Sequence, residues 1–333
     1  MKYTDRVYGT FEINDPIILD LINSPEMQRL KKIDQGGYRA LWVRPEADIS
    51  DEDHSRFAHS VGVYLLLRKY DASLPEQISG LLHDVSHGAF SHCLDYVFSS
   101  GSETDHTHQD NTFVDFVRHS DIPKILDRHG LDTDFILDDA NFPLKETKLP
   151  DLCADRIDYS LRTAILFGEI SSADVGYFLD NLVTQNNSWV FKNFESAKKY
   201  AEMFRKINNI YYSDLSSAIM FRVVGDCLKY ALEKKYISEA DLYTDDAMVV
   251  DKIRGFVEED AQLKILFDRM NNKTQITNNP DKYDATVFCK SRMINPFCLV
   301  NGVLKRIGEI DPAWEEIVKT ESQPKKYFLR FAN

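Results

Sequence analysis

The sequence lacks a long apolar run. The stretch 61–67, the longest near any histidine, includes Gly62 and is far shorter than the roughly 20 residues that a membrane-spanning helix needs. Basic residues are also few, because 40 Lys and Arg stand against 53 Asp and Glu, for a formal net charge of −13. The short apolar run leads us to expect no membrane contact. Since nucleic-acid phosphates require a dense cationic surface, we also expect no strong nucleic-acid binding. A local basic pocket for a small phosphorylated ligand stays open.

Cysteine patterns are missing as well. The five cysteines are scattered and include no C-x-x-C pair. An odd, scattered set indicates reduced thiols rather than a disulfide framework. Residues 1–10 are polar and charged and contain no secretory h-region. We therefore expect a cytoplasmic protein.

Helical patterns dominate the first two thirds of the chain. Residues 25–70 predict helices interrupted by the polar stretch 45–54, and Pro75 in a first turn predicts the start of the next helix. Residues 194–234 predict one long amphipathic helix or two shorter ones. A helical domain is therefore expected at about 1–235.

Strand-forming residues become frequent only after residue 280. The β-leaning segments are 285–289, 297–303 and 326–329, and Asn301-Gly302 between apolar residues predicts a hairpin. Strand signals before this point are scarce. We therefore predict a mainly all-α fold, a helical bundle with a smaller mixed α/β region at 236–333.

All nine histidines lie between positions 54 and 129. Such crowding is typical of a metal or acid–base site, because imidazole neither packs as well as leucine nor is solvated as freely as lysine. We assign four of the nine to the protein surface: His54, His106, His119 and His129.

The stretch 82–92 carries the sharpest pattern. On a helix, His83 and His87 would share one face, with Asp84 beside His83. Imidazole and carboxylate together suit a divalent metal such as Mn, Fe, Co, Ni or Zn. Gly88 then allows the chain to leave the helix sharply.

Four separated motifs resemble the HD-domain phosphohydrolases. They are Arg56-Phe57-Ala58-His59-Ser60, His83-Asp84, His87-Gly88-Ala89-Phe90-Ser91-His92 and Asp155-Arg156-Ile157-Asp158-Tyr159. Their order and spacing over residues 5–180 are similar to the deoxynucleoside triphosphate triphosphohydrolase branch, which includes the SAMHD-like and bacterial dGTPase-like enzymes. The resemblance implies an HD-domain helical bundle.

The resemblance also implies a ligand set for one divalent transition metal ion, with Mg also compatible. The implied ligands are His59, His83, Asp84 and Asp155. Four protein ligands leave open positions for water and a phosphate oxygen, as a catalytic site requires.

Further roles follow from the same resemblance. His108 corresponds to the family's catalytic histidine, and Asp95 is expected to support its imidazole. His87 and His92 resemble the histidines that contact phosphate or order water. For His92, a hydrogen-bonded core histidine is the alternative.

Five residues are implied in substrate binding. Arg56 and Arg156 resemble phosphate-contacting arginines, and Tyr159 resembles a tyrosine that stacks on the sugar. Gln35 corresponds to a glutamine near the sugar. Thr163 stands where the family usually has an aspartate for the sugar 3′-hydroxyl, so it keeps a hydrogen-bonding group but lacks the charge.

The downstream family segment departs further from the pattern. Residues 204–217 contain Arg205 and Lys206 but no histidine, so triphosphate recognition is expected to differ while the metal site is kept. We therefore predict a metal-dependent phosphohydrolase that acts on a phosphate ester or anhydride, with a (deoxy)nucleotide favoured and dNTP hydrolysis to deoxynucleoside and triphosphate as the family's reaction. A homo-oligomer is compatible.

Two other functions stay open at this point. One is a dinuclear HD phosphodiesterase or oxygenase, with His87 and His108 recruited to a second metal. The other is a catalytically degenerate protein that binds nucleotide as a sensor.

Overall fold

The computed structural model describes residues 1–38, 42 and 54–332. The predicted break at 45–54 therefore lies, apart from His54, outside the described residues. Numbered in chain order over the described residues, the α-helices are α1 (Pro16–Ile22), α2 (Pro25–Arg29), α3 (Arg56–Lys69), α4 (Leu74–Leu82), α5 (His108–Arg118), α6 (Ile122–Arg128), α7 (Thr133–Leu137), α8 (Ala154–Leu166), α9 (Ser172–Asp180), α10 (Phe194–Ile207), α11 (Leu215–Glu233), α12 (Glu239–Leu242), α13 (Asp246–Arg254), α14 (Ala261–Met270), α15 (Ile307–Ile310) and α16 (Pro312–Glu321).

The strands of the described residues form three small sheets. The first is the antiparallel hairpin of β1 (Lys2–Asp5) and β2 (Gly9–Glu12). The second has the order β3 (Leu182–Gln185), β4 (Ser188–Phe191), β7 (Phe297–Val300) and β8 (Val303–Arg306), with β4 and β7 parallel. The third is antiparallel, with the order β5 (Ile276–Asn278), β9 (Lys325–Phe331) and β6 (Ala285–Cys289).

The mainly helical fold with a mixed α/β C-terminal part is confirmed. Residues 194–234 form two helices, α10 and α11, separated by a π-helical turn at Asn208–Tyr212. Asn301 and Gly302 have φ angles of 50° and 79°, so they form the expected hairpin turn between β7 and β8. The division of the chain at residue 235 stays a prediction.

The scarce strand signals before residue 280 did not reveal five short strands, β1 to β5. The β3–β4 hairpin turns at Asn186 and Asn187, whose φ angles are 50° and 57°. Asparagine tolerates this left-handed backbone, so Asn-Asn serves as the two-residue turn that Asn-Gly usually provides. The strands themselves are only four residues long, too short to show a clear period of two.

Helix α3 lies at the centre of the helical part. It packs against α4 and α8, and every residue from Arg56 to Leu67 is buried. A helix surrounded on all sides is expected to be apolar throughout. The buried His59 and Arg56 therefore stand out, because charged or polar groups are buried only with partners.

Candidate active site

Three ligand-type side chains converge beside α3. His59 lies in α3, His83 directly follows α4, and Asp155 lies in the first turn of α8. The Nε2 atoms of the two histidines are 3.1 Å apart, and Asp155 Oδ1 lies 2.9 Å from His59 Nε2 and 3.5 Å from His83 Nε2. The three atoms face one point and can hold a metal ion there.

Asp84 approaches the same point. Its carboxylate oxygens lie 3.5 Å from His59 Nε2 and 3.4 Å from His83 Nε2. Arg56 Nη1 donates to Asp84 Oδ2 at 2.6 Å, and His87 Nε2 lies 3.3 Å from Asp84 Oδ1. Burial opposes the charge on Asp84, but the charge of Arg56 and smaller contributions from His83 and His87 hold the pKa of Asp84 well below its usual range. Asp84 is therefore an ionised carboxylate.

Both histidines can present an unprotonated Nε2 to a metal ion. His83 Nδ1 donates to the Gly80 carbonyl oxygen at 2.7 Å, and His59 Nδ1 donates to Asp158 Oδ2 at 2.7 Å, so these bonds assign the protons to Nδ1. Two facing lone pairs 3.1 Å apart repel each other unless positive charge lies between them. Burial opposes a charge on His59, yet hydrogen bonds to Asp155 and Asp158 raise its pKa to about 9, so without a metal ion a proton on Nε2 supplies this charge near pH 7. This donor set fits a divalent transition metal.

A buried ion-pair network supports His59 from behind. Arg162 donates to both oxygens of Asp158, at 3.0 and 2.9 Å, and to Asp5 at 3.0 Å. A Cβ at Gly62 would lie 2.1 Å from Asp158 Oδ1 and 2.2 Å from Arg162 Nη2. The absence of a side chain at Gly62 is thus what lets α8 place Asp158 against His59.

The predicted helical face shared by His83 and His87 is wrong. Helix α4 ends at Leu82, and the chain continues in turns closed by i→i+3 bonds, including His87 N–H to the Asp84 carbonyl at 3.0 Å. Three residues per turn bring positions i and i+3 together, so His87 contacts Asp84 instead. Gly88 follows this turn. A Cβ at Gly88 would lie 2.8 Å from the backbone carbonyl oxygen of Leu242, so the position requires glycine.

A cavity of about 480 Å³ opens over the cluster. All predicted site residues line it except His108 and Asp95. Those that line it are His59, His83, Asp84, Asp155, His87, His92, Arg56, Gln35, Arg156, Tyr159 and Thr163.

His108 and Asp95 lie differently from expectation. The His108 ring stacks on Phe98, with centroids 4.8 Å apart, and its Nδ1 lies 2.8 Å from Ser100 Oγ. Asp95 Oδ1 accepts the backbone N–H of His108 at 2.9 Å, and Asp95 Oδ2 lies 3.3 Å from His92 Nδ1. The predicted support of the His108 imidazole by Asp95 is therefore wrong. Because α5 begins at His108, its first N–H groups lack helical acceptors, and Asp95 accepts from one of them. The catalytic role of His108 stays a prediction.

Two histidines assigned to the surface are buried. His54 and His106 are 4% and 5% exposed, and both line the cavity. The His106 ring lies 4.7 Å from that of His92, and within the described ranges neither His106 nitrogen has a hydrogen-bond partner. Aromatic rings distant in sequence cover both histidines, which local polarity could not reveal. His119 and His129 are exposed, as predicted.

The predicted substrate-binding side chains differ in the hydrogen bonds that they already form within the protein. The Tyr159 hydroxyl and Gln35 Oε1 are buried with no hydrogen-bond partner in the part of the chain described. Tyr212 OH donates to Thr163 Oγ1 at 2.8 Å. Arg156 donates to two backbone carbonyl oxygens at 2.6 and 3.2 Å, so its guanidinium is largely occupied.

Three cations that sequence reasoning missed also line the cavity: Lys145, Lys290 and Arg292. Lys145 pairs with Asp139, whereas Lys290 and Arg292 come from the segment after β6. Arg205 and Lys206 pair with glutamates and do not line the cavity. The one available signal was the alternation of charged and uncharged residues directly after a strand.

The comparisons with known proteins agree with this arrangement. The HD-domain family model matches residues 56–161, which contain all four predicted metal ligands. An uncharacterised protein of Bacillus subtilis is 35% identical over 297 residues, which cover 89% of this chain and 88% of that one. The chain belongs to the HD-domain metal-dependent phosphohydrolases. It is therefore a hydrolase whose family implies a divalent metal ion.

More distant relatives carry functional names. A metal-dependent phosphohydrolase of Cordyceps militaris is 29% identical over 255 residues, 72% of this chain and 71% of its own. The deoxynucleoside triphosphate triphosphohydrolase SAMHD1 of Gallus gallus is 32% identical over 169 residues, but these are 44% of this chain and 26% of that one.

Solved structures share the fold. A hypothetical protein from Aquifex aeolicus has a TM-score of 0.73 at 20% identity, covering 100% of this chain and 96% of its own. A phosphohydrolase from Bacteroides thetaiotaomicron has a TM-score of 0.70 at 17% identity, with both chains covered completely. Across residues 1–38, 42 and 54–332, no helix has the length and apolar character to span a bilayer.

Proposed function

We propose that the protein hydrolyses a phosphate ester or anhydride of a (deoxy)nucleotide, with one divalent transition metal held by His59, His83, Asp84 and Asp155. The observation that carries the proposal is the convergence of two histidine Nε2 atoms and an Asp155 oxygen on one point, with the Nδ1 atom of each ring bonded to a fixed acceptor. A metal bound there lowers the pKa of a bound water and offsets phosphate charge.

The residues around this point suit a phosphate ligand. Burial and the Arg56 charge lower the pKa of His87 to about 4, and they hold the pKa of His92 well below its ordinary value. Both imidazoles are therefore neutral near pH 7, and each has one N–H for a phosphate oxygen or water. Arg56 orients Asp84 and has a second amino group, Nη2, with no partner among the described residues.

Other residues of the cavity lining suit a nucleoside. Gln35 Oε1 and the Tyr159 hydroxyl need partners, and Thr163 with Tyr212 offers a hydroxyl pair. A cavity of about 480 Å³ is within the range of small-molecule sites. The named SAMHD1 relatives make dNTP hydrolysis to deoxynucleoside and triphosphate the first reaction to test.

Product analysis by chromatography tests the proposal. Mn-loaded protein is incubated separately with deoxynucleoside triphosphates, nucleoside mono- and diphosphates and a bis-aryl phosphodiester. Release of phosphate, pyrophosphate or triphosphate from a nucleotide that disappears in Asp155→Asn supports it. Tight nucleotide binding without product over hours would instead support the sensor function.

One observation bears on the dinuclear alternative. His92, Asp95 and His106 form a second group whose ligand atoms lie close enough to hold an ion. This group differs from the predicted pair of His87 and His108. Counting metal per chain separates the alternatives, since two ions with oxygen consumption would favour the oxygenase.

A further inference from the structure

Two cations from the C-terminal region face the catalytic cavity. Lys290 and Arg292 line it, whereas Cys289, Ser291 and Met293 between and around them are buried. The alternation of β6 thus continues beyond its last residue, with one set of side chains toward the core and the other toward the cavity.

The backbone of this segment is held in place. Asn208, which is fully buried and begins the π-helical turn, accepts the Arg292 N–H at 2.8 Å and donates to Ser291 Oγ at 3.0 Å. Ser291 Oγ in turn donates to the Glu321 carbonyl at 2.6 Å. π-helical turns occur frequently at functional sites. The hydrogen bonds from this turn fix the backbone position from which the Arg292 side chain extends into the cavity.

Among the residues that the structure describes, no carboxylate forms an ion pair with either cation, although the charges of Asp110 and Asp105 act on Lys290. The Arg292 guanidinium has no ion pair or hydrogen bond to any described residue, and Lys290 Nζ donates to a backbone carbonyl at 2.6 Å. Burial and the charge of Arg292 lower the pKa of Lys290 to about 8. The same two cations also disfavour protonation of His92 and His106. This side of the cavity therefore attracts an anion.

We propose that Lys290 and Arg292 form a phosphate subsite beside His92 and His106, a step that rests on the proposed function. The guanidinium supplies paired N–H donors that match phosphate oxygens, and the ammonium adds a point charge. A second metal ion at His92 and His106 is disfavoured, because the two cations would repel it. The C-terminal region thereby completes the active site of the HD domain.

Direct binding of inorganic phosphate tests the subsite. Phosphate is titrated by calorimetry into the Mn-loaded wild type and into Arg292→Met and Lys290→Met. Each substitution keeps an unbranched, flexible side chain and removes the charged head with its charge-assisted bond, so we expect phosphate to bind about 10-fold more weakly. Lys305→Met, an exposed lysine of the same region that does not line the cavity, should bind as the wild type does.

A further variant of Arg292 separates a loss of phosphate binding from a loss of folding. Arg292→Lys retains the charge and should bind phosphate more tightly than Arg292→Met, with thermal melting followed in both. Equal phosphate affinity in wild type, Arg292→Met and Lys290→Met overturns the subsite, as does a second Mn per chain that is lost in His106→Asn.

The two proposals fail in different ways. If the wild type binds phosphate through Arg292 but releases no product from any nucleotide, the proposed hydrolysis fails and the subsite stands. If Arg292→Met hydrolyses nucleotides with unchanged KM and binds phosphate normally, the subsite fails and the hydrolysis stands.

Discussion

The two sides of the cavity are held in different ways. On the metal side, His59 and His83 each have Nδ1 bonded to a fixed acceptor, and Asp84 is held by Arg56. On the phosphate side, neither nitrogen of His106 has a hydrogen-bond partner within the described ranges, and the Arg292 guanidinium forms no ion pair with the residues described there. The protein itself therefore orients the residues of the metal side. On the phosphate side, a bound anion would be needed to neutralise the positive charge.

Removing a metal-side carboxylate should give the largest effect. Asp155→Asn replaces an oxygen that faces both histidine Nε2 atoms and removes its charge. Because metal-ion catalysis contributes several kcal/mol, we expect activity to fall by roughly 10³-fold or more. Bound Mn and phosphate release are measured together, with the exposed Asp134→Asn as control. Full activity in metal-free Asp155→Asn would contradict the assignment.

The support behind the metal side can be disturbed without touching a ligand. Gly62→Ala places a Cβ against Asp158 and Arg162, so the pair must move away from His59. We expect a loss of about 1–3 kcal/mol in the free energy of unfolding and roughly 10- to 100-fold weaker metal binding.

Helix α9 offers the matched control for this change. A Cβ at Gly176 would have no other atom within 4 Å. Because alanine favours a helix more than glycine does, Gly176→Ala should stabilise the fold slightly. Thermal melting and Mn titration on both variants make the comparison. Equal Mn affinity in Gly62→Ala and wild type would show that the Asp158 contact does not tune the metal site.

The grouping of His59, His83, Asp84 and Asp155 was predictable from sequence because these residues lie in motifs, while their binding of a metal ion stays a prediction. Adjacent His83 and Asp84 need only a local turn, and His59 and Asp155 each sit in a helix with a clear pattern. The helix face assumed for His87 was wrong because no residue signals that α4 ends at Leu82 rather than one turn later.

The phosphate side could not be predicted in the same way. Lys290 and Arg292 reach the cavity from a segment that Asn208, more than 80 residues earlier in the chain, holds by two hydrogen bonds. His106 is buried by contacts distant in sequence, and its backbone has a left-handed φ of 55°. Such long-range packing leaves no periodic signal in a single sequence.

Two histidines close in sequence, one in the cavity lining and one outside it, provide a test with a smaller expected effect. His106 lines the cavity, while His108 stacks on Phe98 outside its lining. Because one lost hydrogen bond to a phosphate oxygen is worth about 1 kcal/mol, we expect His106→Asn to lower kcat/KM roughly 5- to 10-fold. His108→Asn should lower it less. A larger loss in His108→Asn, measured by phosphate release at equal Mn occupancy, would favour the role implied by family resemblance.

The smallest expected effect is on the pH dependence of phosphate binding. The pKa of Lys290 is lowered to about 8 by burial and by Arg292 and Arg156, against the opposing charges of Asp110 and Asp105. The ammonium is charged below this pKa and neutral above it, so phosphate affinity should fall as pH rises through 8. Between pH 7 and 9 most of the ammonium loses its charge, so we expect the wild type to lose roughly fivefold more affinity than Lys290→Met, which is most of the contribution of one charged hydrogen bond. Calorimetry on both proteins cancels the ionisation of phosphate itself, since both experience it equally. Parallel curves for the two proteins would mean that Lys290 does not bind the anion.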